Sequence, residues 1–207
     1  DLLLVGVREY AESIDSAGNC SGLILDITDF PGLNDSEIEA MVISLRSRMD
    51  NSSIILLRGR IDRIERVFRL VMDLDLDGAV VICSTPSGSR LASSLPKIGL
   101  ASKAMGIGET GKFVMLEIDF EPQAKDMLIA IASGCTAVVS PHMGGSVDSK
   151  IENLGREIRG WMRDIGVDRI DRIGRRNLRA NDYDTAAISG LRLVGYERPL
   201  KMWLELG

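Results

Sequence analysis

The stretch KFVMLEIDFEPQAKDMLIAIASGCTAVVSPHMGG, residues 112–145, decides the fold. Residues 113–118 are an apolar run of strand length, a polar turn follows, and 124–132 place Met127, Leu128 and Ile131 on one helical face. Gly134 turns the corner, and 137–139 is small and β-branched again. The stretch is therefore strand, helix, strand, and such a unit feeds a parallel sheet by a right-handed crossover. Ligands of parallel sheets sit where the carboxyl ends of the strands emerge. Here those ends carry Asp119-Phe120-Glu121-Pro122 and Ser140-Pro141-His142-Met143-Gly144-Gly145.

Working outward, strand patterns at 2–7, 23–27, 53–57 and 79–83 alternate with helical ones. Residues 8–16 are a weak helical pattern closed by Ala17-Gly18-Asn19. Asn34 or Asp35 caps the next helix, whose stripe is Ile38, Met41, Val42 and Leu45. A third carries Ile61, Ile64, Val67, Phe68 and Val71 on one side. Residues 95–105 are helical in part, with Pro96 and Gly99 interrupting. The longest periodic run is Val147, Ile151, Leu154, Ile158, Trp161, Met162 and Ile165, stopped by Gly166. Short helical turns follow to about residue 190. This alternation predicts an α/β fold, (β/α)8 TIM-barrel-like, as a single domain over 1–207 in which 1–22 is weakly patterned and 147–207 are closing helices. Five or six strands do not close an eight-stranded barrel, so the barrel is partial or is completed by residues outside this chain, by a partner subunit or by self-association.

At 207 residues, 45% hydrophobic and 27% charged, the chain is long enough and apolar enough to bury a core. A net charge of −5 argues against nucleic acid or anionic membrane as a partner. The sign reverses over 150–180, with nine Lys or Arg against five Asp or Glu; interleaved in this way they describe a solvated helical face. No apolar run approaches the roughly 18 residues of a membrane span, and the opening LLLVGV lacks the basic start of a signal peptide. A cytoplasmic location is the default expectation. The chain starts at Asp1 without an initiating Met, which fits a piece of a longer polypeptide.

Cys20, Cys83 and Cys135 are far apart and odd in number, as expected of reduced thiols rather than disulfides or metal ligands. The acidic run at 73–77 lacks the spacing, turn glycine and final Glu of a calcium loop, so it is a helix end and an acidic corner, and no metal site is expected.

Among residues able to carry chemistry, Arg58 and Arg60 stand at a strand's carboxyl end, either facing the mouth of the fold or solvated and paired with Asp62. Ser84, Ser87, Gly88, Ser89 and Arg90 are either a small-anion loop or a polar turn after a buried strand. Gly144 and Gly145 before a long helix are either an anion nest or turn glycines. His142, the single histidine, is either an acid–base group or a surface residue, and no partner can be assigned to it.

From 23 to about 191 this order of landmarks resembles the C-terminal half of the FMN-binding barrel domain of glutamate synthases. GLILDITDFPGLNDSEIEAMVISLR (22–46) stands at a substrate-side loop and acidic-capped helix, SIILLRG (53–59) at the next strand, and DGAVVICSTPSGSRLASSLPKIGL (77–100) at a strand and Gly-rich loop. LEIDFEPQAKDMLIAIASGCTAVVSP (116–141) falls at the two strands whose loops hold the flavin phosphate. The tail REIRGWMRDIGVDRIDRIGRRNLRANDYDTAAISGL (156–191) resembles the family's closing helices, including the step NLRA. The resemblance implies an oxidoreductase of glutamate biosynthesis acting on CH–NH2 donors. It also implies FMN held around Arg58, Ser87, Gly88, Ser89, Arg90, Asp119, Ser140, Gly144 and Gly145.

Departures from the family pattern point to loss of that chemistry. Leu56 stands where the family has a lysine, and Asp119-Phe120 stand at the phosphate loop, where glycines would let backbone N–H groups approach an anion. Val139 and Pro141 replace the last glycines, Pro141 having no N–H to give. The cysteines that ligate an iron–sulfur cluster in the family have no counterpart, because the chain runs from Met143 directly into the long helix. Two expectations therefore stand: a glutamate-synthase-related domain degenerate at its flavin site, and a non-catalytic scaffold or regulatory ligand-binding domain.

Overall fold

The structure, a computed structural model, describes all residues except 1, 14, 15, 17–19, 31, 51, 84–90, 142, 143 and 198–207, and of 91–95 the backbone only. Strands β1 (Leu2–Gly6), β2 (Gly22–Asp26), β3 (Ile54–Arg60), β4 (Gly78–Ile82), β5 (Phe113–Glu117) and β6 (Ala137–Val139) form one sheet in the order of the chain. Helices α1 (Tyr10–Ser13), α2 (Asp35–Arg46), α3 (Ile64–Asp73), α4 (Leu91–Met105) and α5 (Ala124–Ala132) occupy the connections, and α6 (Val147–Asp164) and α7 (Tyr183–Ser189) follow β6. Sequential order with parallel pairing requires a return element after each strand, which is the α/β class expected from the sequence. The residues group into two compact units, 1–82 with 101–115, and 83–100 with 116–207.

In the first unit the face of each strand follows from side-chain alternation. A Cβ built on Gly59 would collide with Val67 of α3, so Ile55, Leu57 and Gly59 face that helix and Leu56, Arg58 and Arg60 face the other way. Parallel register then places Ile24 and Gly78 beside Leu56, and Asp26 and Val80 beside Arg58. The helix-side interior is filled by Ile38, Val42 and Leu45 of α2 and by Val67, Phe68 and Val71 of α3, all at most 2% exposed. On the opposite face Leu56 is also fully buried, whereas Leu2 and Leu4 of the edge strand β1 are 42% and 51% exposed. Asn34 closes a capping box on α2, accepting from the Glu37 N–H while Glu37 accepts from its own (both 2.9 Å).

The acidic corner is structural. The Asp77 carboxylate accepts the Ile55 N–H at 2.7 Å, and Lys112 Nζ stands 2.6 Å from Asp75 and 2.7 Å from the Leu76 carbonyl. That hydrogen bond from Lys112 holds the Asp75 carboxyl below the usual carboxylate range. Among the described residues no cluster of His, Cys, Asp and Glu has the makings of a metal site.

Two local expectations are corrected. α4 runs unbroken through Pro96 and Gly99. A proline inside a helix forfeits one backbone hydrogen bond and crowds the preceding turn, but Ile98 and Ala101 are 0% and 5% exposed, and their burial holds the segment helical. The apolar stripe of α6 is only half used. Ile158 and Met162 pack on a core of Leu128, Ala132 and Ile173 in the second unit, whereas Val147, Ile151 and Trp161 are 53%, 62% and 49% exposed. No described helix is long and apolar enough to cross a membrane.

Cys83 and Cys135 are buried and Cys20 is half-buried. Burial, with Cys83 adding to it, pushes the Cys135 thiol from 9.0 up to about 12. The folded thiol thus keeps its proton where the unfolded one loses it, so this group's share of the stability is whole below pH 9.0 and drains away as pH rises toward about 12. With Ellman's reagent at pH 8, one thiol (that of Cys20) is expected to react in the native protein and all three in denaturant. Rapid native reaction of three thiols would contradict this burial.

Candidate functional site

Polar side chains gather at the carboxyl ends of strands in each unit. In the first, β3 extends through Arg60, opposite Ile82 of β4, rather than ending before Arg58-Gly59-Arg60 as the sequence pattern suggested. The absence of a side chain on Gly59, where α3 comes close, lets the ladder continue. Arg58 is therefore within the sheet and ion-paired to Asp26 of β2, with side chains only 18% and 14% exposed. Asp26 also accepts the Thr28 N–H at 3.0 Å. Arg60 is paired with Asp62 at 3.6 Å, and the Arg8 guanidinium lies 5.4 Å over the Phe30 ring. Removing one partner of a poorly solvated pair strands the other charge, so an anion reaching Arg58 has to displace Asp26.

In the second unit a groove of about 720 Å³ opens at the ends of β5 and β6. Its floor and walls come from Glu121, Pro122 and Gln123 after β5, Ser140 and Pro141 after β6, and the α6 face of Val147, Lys150, Ile151, Asn153, Leu154 and Glu157. Local sequence builds it. At the start of α5 the Gln123 N–H donates to the Asp126 carboxylate at 2.9 Å while the Gln123 carbonyl accepts the Asp126 N–H at 3.0 Å, and Ser146 caps α6 by accepting from the Ser149 N–H at 3.5 Å. Lys150 reaches back to Glu121 at 2.5 Å, the two side chains 36% and 49% exposed. Such a half-exposed pair contributes at most about 1 kcal/mol to stability, but it neutralises Lys150, the one lysine among the described residues lining the groove.

The residues singled out in the sequence are distributed as follows. Ser140 lines the groove; among the described residues Asp119, Gly144 and Gly145 do not. Asp119 is exposed two residues after β5, beside Phe120 at 39%. Gly144 and Gly145 are exposed, with φ of 85° and 81°, a left-handed backbone that favours glycine. Arg58 belongs to the other cluster, and Ser84, Ser87, Gly88, Ser89, Arg90 and His142 lie outside the described residues. Glu121, Lys150, Asn153 and Glu157 were missed. The signal that finds the last three is spacing: 147, 150, 153 or 154, and 157 follow at steps of three or four residues, so one face of α6 mixes Lys150, Asn153 and Glu157 with Val147, Ile151 and Leu154. The groove is thus amphipathic, built for binding through apolar contact and a few hydrogen bonds.

No known family model matches the chain, and no curated protein matches it in sequence. Among solved structures it is similar to the crystal structure of dihydrodipicolinate synthase from Rhodopseudomonas palustris, with a TM-score of 0.52 and 16% identity over 81% of this chain and 60% of that one. That neighbour is a TIM barrel, and at this identity the likeness is one of fold alone. The chain spans about 60% of the neighbour's length. A parallel six-stranded sheet with alternating helices, similar to part of a TIM barrel, is thereby the fold of this protein.

Proposed function

We propose that this chain is a barrel domain related to the FMN-binding domain of glutamate synthases that has lost flavin chemistry and works as a non-catalytic ligand-binding or scaffold domain. Further βα units, from outside this chain or from a partner, complete its barrel. The observation that carries the reading is the character of the loops after β5 and β6. By the resemblance these would hold the flavin phosphate, yet they offer Asp119, Glu121, Pro122 and Pro141, and the groove's lysine is engaged by Glu121. Carboxylates repel a phosphate and proline gives it no N–H. Leu56, fully buried at the place of the family's lysine, supports the same reading. What remains suits a small ligand without a phosphate, lodged between the apolar α6 face and the polar rim.

Equilibrium titration with FMN, followed by flavin fluorescence, tests this. The expected dissociation constant is weaker than about 100 µM, which corresponds to under about 5.5 kcal/mol of binding free energy. A yellow, stoichiometric FMN complex would return the domain to the oxidoreductases. Changing Asp119→Gly together with Phe120→Gly is expected to improve FMN affinity at least about tenfold, by removing a carboxylate and opening the backbone. Unchanged affinity in that variant would remove the glutamate-synthase ancestry from the proposal.

A further inference from the structure

The second unit holds another cavity, which shares no described lining residue with the strand-end groove. A cleft of about 340 Å³ lies between α5, the segment 175–182 and α7, with one wall from Pro96. Its apolar surface comes from Ile129, Leu178 and Leu191, and two arginines, Arg175 and Arg179, reach its lining. Both are braced. Arg175 Nη2 donates to the Ser189 carbonyl at 2.5 Å, and Arg179 Nη1 to the carbonyls of Arg176 and Leu178 at 2.7 and 2.8 Å. Each brace uses one Nη of a planar group that carries five N–H donors, so the guanidiniums are oriented while retaining capacity to bind.

Two lining carboxylates serve helix starts. Asp126 accepts the Gln123 N–H at 2.9 Å at the start of α5, and Asp182 accepts the N–H and the hydroxyl of Thr185, both at 2.8 Å. Each of these charges answers a helix N-terminus. A pocket of this size, apolar with a few oriented donors, has the make-up of a small-molecule site. Two guanidiniums, exposed at the rim and each held by backbone carbonyls, select an anionic head.

We propose that this cleft binds a small organic anion, its charged head between Arg175 and Arg179 and its apolar body against Ile129, Leu178 and Leu191. The site is separate from the strand-end groove, and the proposal does not depend on whether flavin chemistry was lost.

The test is an amide NMR titration of the whole chain with 2-naphthoate, with 2-naphthylmethanol as its uncharged counterpart and inorganic phosphate as a head without a body. Naphthoate is expected to saturate with a dissociation constant on the order of 1 mM or below, shifting amides of 126–133 and 175–191. The alcohol and phosphate are each expected to bind at least about tenfold more weakly. Arg179→Gln, whose braces are to adjacent carbonyls only, should weaken naphthoate about tenfold, and Ile129→Trp, which fills the cleft and leaves both arginines, should abolish binding. Equal binding of acid and alcohol, indifference to both substitutions, or shifts confined to other residues would each overturn the proposal. So would a failure to saturate at 10-fold higher concentration, about 10 mM.

Discussion

Leu56→Lys is expected to destabilise the protein by about 4–5 kcal/mol at pH 7, and to bring no flavin with it. Leu56 is fully buried on the face of β3 that turns away from α3, with Ile24 and Gly78 beside it in the register. The register neighbours of a lysine there, Ile24 and Gly78, offer it no carboxylate, and Asp26, one same-face step on, is bound to Arg58. The dry site disfavours the ammonium, so the folded-state pKa drops below the unfolded value of about 10.4, and at pH 7 the cost is about 1.36 kcal/mol for each unit from there to neutrality. The unfolded chain then binds more protons than the folded one, so the variant's stability rises with pH, the deficit shrinking between about pH 7 and 10. Leu56→Met is the control for shape and should cost less than about 1.5 kcal/mol. Urea titrations of the three proteins at pH 7 and 9.5 decide the matter. A Lys variant within about 1 kcal/mol of the Met variant at pH 7 would mean that water or a carboxylate reaches this position. In that case the strand could accept the lysine that the glutamate-synthase resemblance implies, and the proposed loss of flavin chemistry would be less well supported.

What the sequence made legible was what is local. Period-two and period-3.6 patterns located the βαβ unit over 112–145, a helix cap at Asn34 or Asp35, of which Asn34 is the cap, and the end of α6 at Gly166, because each depends on residues within a turn or two. The pairs that define the two polar clusters are not local. Asp26 and Arg58 are 32 residues apart and meet only because β2 and β3 pair in one register; a shift by one residue would point Arg58 at α3. Lys150 and Glu121 meet through the packing of α6 over the β5–α5 loop, which no spacing within either segment reports. Pro96 misled for the opposite reason: a strong local signal was outweighed by burial of the helix around it. The cleft beneath Arg175 and Arg179 draws on three segments, so its arginines, which in sequence belong to an ordinary charged run, show their arrangement only in the fold.

Phe68→Ala is expected to cost about 3–5 kcal/mol, the transfer of a large ring plus the cavity it leaves. Phe68 is fully buried on α3, flanked by Ile64, Val67, Leu70 and Val71, all at most 3% exposed, so its space has no route to solvent and collapses poorly. α3 is the layer directly behind β3, since Val67 approaches Gly59 closely enough to exclude a side chain there. The same strand holds Arg58 on its other side, so loosening α3 loosens the support of the Asp26–Arg58 pair. Differential scanning calorimetry should show the midpoint falling by about 10 °C, at roughly 2–4 °C per kcal/mol for a chain of this length. Ile43→Ala on α2, a residue 61% exposed, should move it within the scatter of surface changes, about 0.5 kcal/mol. A Phe68 variant that melts within about 3 °C of the parent would refute the packing of this layer, and with it the claim that β3 is rigidly backed where its charged face begins.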